Sequence, residues 1–213
     1  MAVYQIKNIT KDVRVALDQN GVSDSLEGIG DVDTLELNEI IRSKVVEAVK
    51  RVHSEASLYR LNQGHNFGDT LYWNDKEPCG WILLPDDFMR LVVFQMDDWA
   101  RPVYKAIDMD SQEFVMQYSR YGGVRGTPSR PKCVLAIRPE GRALEFYSCK
   151  DQTAKVSRGV YIPQPKIDEH DGIEISNQCY EAVVYTICAL VSTAYADSNR
   201  TELFNNMAKS LIE

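Results

Sequence analysis

The chain has 213 residues and a formal net charge of −7, with 44% hydrophobic and 26% charged residues. This composition is ordinary for a globular protein with a real core, and the acidic balance argues against a protein that coats itself in nucleic acid. No apolar run approaches the roughly 18 residues needed to span a bilayer, and the N-terminus lacks a signal-peptide core, so we expect a cytosolic chain without membrane contact.

The first part of the chain is predicted to be helical. Residues 10–20 form a short helix candidate, followed by a loop rich in Gly, Ser and Asp. Asp33 and Glu36 are an N-cap signature for a long helix over 35–63, in which apolar residues recur at helical spacing. At about 1.5 Å per residue, this helix would be about 40 Å long.

The middle of the chain, residues 67–163, is predicted to be β-rich. A turn at 139–142 would set Ile137 opposite Leu144 in an antiparallel hairpin with one continuous apolar face. A further strand, ended by Pro163, would complete the sheet. The three predicted antiparallel strands are 132–138, 143–149 and 154–162.

A segment rich in Gly, Arg and Pro, residues 119–131, precedes the hairpin. Its glycines and prolines disfavour a regular element, which predicts an extended arm or a long connection. Residues 119–142 hold six bases and one acid, whereas residues 18–39 hold seven acids and no Lys or Arg. Separated charge lets copies of one chain attract one another head to tail, although a solvated surface is an alternative. The candidate residues of this segment for contacts with another subunit are Arg120, Tyr121, Arg125, Arg130 and Lys132.

Two helices joined by a short turn are predicted in the last part of the sequence. Ser176 is placed to cap the first helix, over 177–197, and apolar residues surround most of that helix, so we expect it to be buried. Asn199 with Glu202 is the cap signature of the second helix, over 200–211.

Helices, a β-rich middle and further helices are an order typical of an α+β protein rather than of a βαβ repeat. We expect a single domain over residues 1–213. In it, long helices at both ends of the chain would form a helical bundle, and the middle would supply an inserted antiparallel β-sheet and an extended basic arm. The acidic segment 18–33 has no assigned place in this plan.

Residue types that carry catalysis or bind metals are scattered. The three histidines lie in separate elements, and no nucleophile elbow, zinc-protease motif, phosphate loop or dinucleotide fingerprint occurs. The carboxylate pairs Asp97-Asp98 and Asp108-x-Asp110 lack a third ligand at metal spacing, which favours solvated turns. Five cysteines without a C-x-x-C pair indicate reduced thiols. We therefore expect no catalytic, metal-binding or cofactor-binding residue, no disulfide and no enzyme activity.

Four segments carry a resemblance through their order in the sequence. They are the helix Leu37–Val49, the segment Leu84–Leu91, the hairpin strand Ala143–Tyr147 and the closing helical pair Cys179–Asp197. In this order they resemble the head-to-tail adaptor proteins of tailed bacteriophages, the connector rings that dock beneath the portal. The chain is most similar to the ring proteins of crAss-like gut phages.

This resemblance implies a structural virion protein, made in the cytoplasm of the host bacterium, that performs no chemistry. Such a protein forms a homo-oligomeric ring, typically a dodecamer, that binds the portal and other tail or ring proteins. Genomic DNA would pass through its channel without specific binding, and an acidic chain suits this role because like charge avoids tight phosphate contacts.

Two other classes stay open. The first is a monomeric cytosolic binding or regulatory module, which a single-copy mass in solution would mark. The second is an enzyme with an unfamiliar site, which a cleft with convergent, perturbed carboxylates would mark.

Overall fold

The computed structural model describes residues 2–19, 37–61, 64–74, 79–119, 121 and 123–213. The chain divides into two compact units, Met1–Gln63 with Gln164–Glu213, and Gly64–Pro163. We call the first the helical unit and the second the β unit. No helix within the described ranges is long and apolar enough to cross a bilayer.

The described elements, in chain order, are β1 (Ala2–Gln5), α1 (Ile6–Gln19), α2 (Leu37–Glu55), β2 (His65–Asn66), β3 (Leu71–Trp73), β4 (Gly80–Leu83), β5 (Phe88–Met96), α3 (Gln112–Gln117), β6 (Cys133–Arg138), β7 (Gly141–Phe146), β8 (Val156–Pro163), β9 (Gly172–Ile175), α4 (Tyr180–Ala194) and α5 (Ser198–Ile212). Short 3-10 turns lie at Leu58–Arg60 and Asn177–Cys179.

Helix α4 packs against α1, α2 and α5 within the helical unit. Most of its circumference is buried, as its hydrophobic pattern predicts. Helix α1 buries Ile9, Val13 and Leu17, which lie four residues apart and therefore on one face. Burying a large aliphatic side chain contributes about 1.5–3 kcal/mol, so these helix contacts stabilise the unit.

Two antiparallel sheets make up most of the β unit. One has the strand order β2-β8-β5 and the other β3-β4-β7-β6. An aromatic cluster joins them, in which Phe94 lies 5.6 Å from Phe146 and 5.5 Å from Trp99 between ring centroids. Because these rings come from both sheets and are buried, the arrangement is that of a β-sandwich.

The expected architecture of long terminal helices with one inserted sheet is wrong. The protein is α+β, but the described chain holds three antiparallel sheets, because β1 and β9 form a third, two-stranded one. The predicted helix 35–63 ends at Glu55, since Ser57 is already extended at φ −62° and ψ 144°. The described helices are therefore short elements of 6 to 19 residues rather than a long bundle.

The predicted sheet is also corrected in its pairing. Strand β8 does not extend the β6–β7 hairpin but pairs with β5 and β2 in the opposite sheet. The hairpin itself forms with Leu135 opposite Leu144 and Ile137 opposite Arg142, two residues away from the predicted register. Its loop contains only Pro139 and Glu140. A shift of two residues keeps every side chain on its predicted face.

Candidate interaction surface

The described part of the basic segment, residue 121 and residues 123–132, lies against its own β unit, so the expectation of an extended arm is wrong. The Gly126 N–H donates to Oε1 of the buried Gln117 at 3.1 Å. The Lys132 N–H donates to Oγ of Ser148 at 3.0 Å, and that hydroxyl donates to the Lys132 carbonyl at 3.2 Å. Side chains of the β unit thus bind backbone groups that an irregular segment would otherwise leave to water.

Part of the basic segment, Thr127–Arg130, forms a compact turn instead of an arm. The Arg130 N–H donates to the Thr127 carbonyl at 2.9 Å, and the Thr127 N–H donates back to the Arg130 carbonyl at 3.2 Å. The Pro128 carbonyl at its tip accepts from the Ala100 N–H at 2.9 Å. The sequence correctly excludes a regular element here but does not reveal that the turn is anchored.

Helix α3 and the basic segment contact aromatic groups beside the β3-β4-β7-β6 sheet. The ring of Tyr118, just after α3, meets the ring of Tyr147 edge-on at 5.7 Å. The Arg125 guanidinium lies 5.8 Å from the centre of the same Tyr147 ring. These contacts place α3 and the basic segment over the buried Tyr147 and Glu145.

An ion pair lies on this face of the sheet. Arg138 Nη2 is 2.8 Å from Oε2 of Glu145, whose side chain is 1% exposed. The Tyr147 hydroxyl donates to the other carboxylate oxygen at 2.8 Å, and the Arg138 guanidinium stacks on Trp81 at 4.3 Å. Burial is the largest single influence on Arg138 and lowers its pKa, but the charge and hydrogen bonding of Glu145, together with Cys79 and Tyr147, raise the Arg138 pKa overall.

The thiol of Cys79 and the phenol of Tyr147 beside this network stay protonated at neutral pH and are therefore poor nucleophiles. Burial, with the nearby carboxylate of Glu145, raises the pKa of the Cys79 thiol to about 12. Burial and the neighbouring Cys79 raise the pKa of Tyr147 as well. Both oxygens of Glu145 already accept hydrogen bonds, so the arrangement acts to hold strands together.

Above this network the β unit exposes apolar side chains. On α3, Val115 is 71% exposed; on the basic segment, Tyr121 is 77% exposed. We call this region the α3 surface and define it by its exposed apolar members and two arginines: Val115, Met116, Tyr118, Tyr121, Val124, Arg125 and Arg130.

The candidate contact residues of the sequence analysis fall on or beside the α3 surface. Tyr121 and Arg130 are exposed, whereas Arg125 is half-buried against Tyr147. Lys132 is half-buried, with its Nζ 3.5 Å from a carboxylate oxygen of Glu113. Arg120 lies outside the described residues.

Sequence reasoning missed the apolar part of the α3 surface. Val115, Met116 and Tyr118 follow one another closely in a short helix, and such a cluster is indistinguishable from a buried face without the fold. Only their exposure in the folded protein identifies these three residues as part of a surface.

The side chains of Asp97 and Asp98 stabilise turns by accepting hydrogen bonds from backbone N–H groups. Asp97 accepts from the Lys155 N–H at 3.0 Å and Asp98 from the Lys150 N–H at 2.7 Å. Within the described ranges, no three His, Cys, Asp or Glu side chains converge at metal-binding distance. All five cysteines are free thiols.

The three histidines stay apart. His53 is 1% exposed in α2, and its Nε2 accepts from the Ser176 N–H at 3.4 Å. Burial lowers the pKa of His53 to about 4, so it is neutral at pH 7. His65 lies in β2 of the other unit, and His170 lies on the exposed turn before β9.

No protein-family model matches the chain, and no curated protein is significantly similar to it in sequence. Among the described residues, the α3 surface is the feature that most resembles a protein-binding site.

Proposed function

We propose that the protein is a structural virion subunit that forms a homo-oligomeric ring beneath the portal, joins capsid to tail and leaves a channel for DNA. The order of the four segments that resemble connector rings motivates this proposal. The α3 surface is the structural observation that supports it most, because a ring subunit needs a pre-formed surface for its neighbours.

The composition of the α3 surface suits a protein contact. Isolated monomers seldom gather exposed apolar side chains in one place, and such gatherings mark sites of association. Tyr, Met and Arg, which recur here, are enriched in interfaces over Lys, Glu and Asp. Tyr121 and Arg125 are thus candidates for the anchors that bind a neighbour or the portal.

The anchoring of the basic segment supports the same role. Binding is weakened by the cost of ordering flexible groups, and a segment already held at Gly126 and Lys132 avoids much of that cost. A contact made by this segment would therefore be pre-organised, which suits a subunit that must repeat one geometry around a ring.

Charge supplies a partner for the arginines. The helical unit carries exposed carboxylates at Glu169, Glu181 and Glu202. In a ring, the basic segment of one copy would meet one or more of these carboxylates on the next copy. Arginine suits this contact because its planar fork binds carboxylates through two hydrogen bonds.

A charge-removal variant tests this proposal. We expect Arg120→Ser/Arg125→Ser/Arg130→Ser to leave each subunit folded but to weaken assembly with the portal, measured by sedimentation at low and high salt. High salt should weaken the parent in the same way, because it screens exposed charge. The matched control, Lys105→Ser/Lys150→Ser/Arg158→Ser, removes three exposed charges elsewhere on the β unit.

Two outcomes would count against the proposal. Equal assembly of the triple variant and the parent at both salt concentrations would remove the α3 surface from the contact. A single-copy mass with and without portal would instead favour a monomeric binding or regulatory module.

A further inference from the structure

The outer edge of strand β6 is covered along only part of its length. The Ile107 N–H donates to the Cys133 carbonyl at 2.8 Å, and the Ile107 carbonyl accepts from the Leu135 N–H at 2.9 Å. Leu135 therefore points its N–H away from β7. Because backbone groups alternate along a strand, Ile137 presents its N–H and C=O to the same outer side, beyond the reach of Ile107.

Ile137 makes this uncovered end unusual. Its side chain is 74% exposed, and no described residue outside the hairpin pairs with its backbone. Exposed edges of sheets are templates for strand pairing, and proteins usually block them with a charge, a proline or a bulge. Here the open position is apolar, and the next outward position along the chain is Pro139, which ends the open edge.

A groove of about 650 Å³ adjoins the uncovered edge. Leu84, Phe88 and Met109 give it an apolar lining beside Ile137. The Oγ of Ser111, in the same lining, is buried and has no hydrogen-bond partner among the described residues. A groove of this size and lining suits a few side chains of a bound ligand.

The charge of the groove favours a cationic ligand. Asp108 and Asp110 line it with exposed carboxylates. Arg142 also lines it, but its Nη2 donates to the carbonyls of Asp86 at 2.9 Å and Pro85 at 3.5 Å. The guanidinium keeps its charge but is held on its own chain, so the lining remains net negative and both carboxylates face solvent.

We propose that the groove beside Ile137 binds an extended segment of a second protein, in which apolar residues alternate with Lys or Arg. The backbone of this segment would pair with the open edge of β6 as an added strand. Its apolar side chains would fill the groove, and its cations would meet Asp108 and Asp110. This contact is separate from the α3 surface and does not depend on the ring.

The basic segment of another copy is a poor occupant. It is folded into the Thr127–Arg130 turn, and its prolines at 128 and 131 have no N–H to give to a strand edge. A different protein with an extended basic segment therefore fits better.

The probe for this proposal is the acetylated and amidated peptide (Val-Lys)4, titrated into the ¹⁵N-labelled full chain. We expect a saturable shift of the Ile137 amide signal and at least tenfold slower hydrogen exchange at that amide. Asp108→Asn/Asp110→Asn should weaken binding about threefold to tenfold at low salt, and less at high salt. The matched control, Asp69→Asn/Asp151→Asn, removes two exposed carboxylates away from the groove and should bind as the parent does.

Peptide chemistry separates strand addition from simple charge attraction. In a paired strand only alternate N–H groups face the partner, so of two N-methylated probes, one on every Val and one on every Lys, only one should lose binding. Equal binding of both, equal binding of (Val-Glu)4, or no shift at Ile137 would overturn the proposal. Protection of Ile137 that rises with protein concentration alone would assign the edge to a second copy and overturn it too.

Discussion

A Cβ atom on Gly126 would overlap Oγ of Ser148, the hydroxyl that binds both backbone groups of Lys132. The hydrogen bonds of Ser148 and Gln117 hold the basic segment on the β unit at this close approach. The glycine is needed for space, because its backbone has no room for a side chain at that contact.

Gly126→Ala should therefore loosen the basic segment. The added methyl must displace Ser148 or the segment, and overpacking of this kind costs about 1–3 kcal/mol. In this variant, hydrogen exchange should become faster at the backbone amides of residue 126 and Lys132 than in the parent. Gly123→Ala is the matched control, because a Cβ there meets nothing within 4 Å; equal effects of the two variants would contradict the anchoring.

Local sequence patterns predict where helices and strands lie better than they predict which strands pair with each other. The side chains of the hairpin lie on the predicted face because strand period is fixed at two, yet the register is shifted, since Pro139 and Glu140 alone form the loop. The sequence places β8 in the wrong sheet because its paired residues in β5 lie 60 to 75 positions away, from Met96–Val156 to Phe88–Pro163, and local pattern carries no information on such pairing.

The helix N-caps show the same limit of prediction from local sequence. Asp197, not Asn199, caps α5 by accepting from the Arg200 N–H at 3.1 Å, because either residue type suits the position and only the fold selects one. The Ser176 hydroxyl does not cap a helix but donates to the Arg60 carbonyl. Of the candidate surface, the sequence indicated the charges but missed the exposed apolar residues of α3.

The Arg138–Glu145 ion pair gives a second prediction. Glu145→Ala leaves the Arg138 guanidinium and the Tyr147 hydroxyl without their acceptor, and breaking a buried pair from one side costs about 3 kcal/mol. Urea denaturation measures this loss. The control is Glu47→Ala, which removes an exposed pair with Arg51 one helical turn away and should cost about 0.5 kcal/mol or less. If Glu145→Ala lost as little free energy of unfolding as Glu47→Ala, the network would add no more stability than an exposed ion pair.

The buried His53 predicts an acid-labile helical unit. Its pKa is about 4 when folded and 6.5 when unfolded, so between these values the unfolded chain binds a proton that the folded chain does not. Its contribution to stability is thus complete above pH 6.5 and decreases as the pH falls towards 4, by about 3 kcal/mol in all. Denaturant melts at several pH values should show a shallower dependence in His53→Gln than in the parent. The exposed His170→Gln should behave as the parent; a parallel profile for His53→Gln would contradict this account.

The thiols should be slow to react in the folded protein. Four of the five cysteines are buried, and burial raises the pKa of Cys188 to about 12, which keeps the reactive thiolate scarce. We expect slow labelling by a thiol reagent in the native state and five equivalents after denaturation without a reductant. Fewer than five equivalents would reveal an oxidised pair.

The central claim is that this chain is a ring subunit. Native mass spectrometry of the purified protein, alone and mixed with the portal protein that the proposal requires, tests it most directly. The account predicts one closed oligomer, twelve copies in the connector arrangement, that forms with the portal and is weakened in the Arg120, Arg125 and Arg130 variant. A single copy under every condition would contradict it.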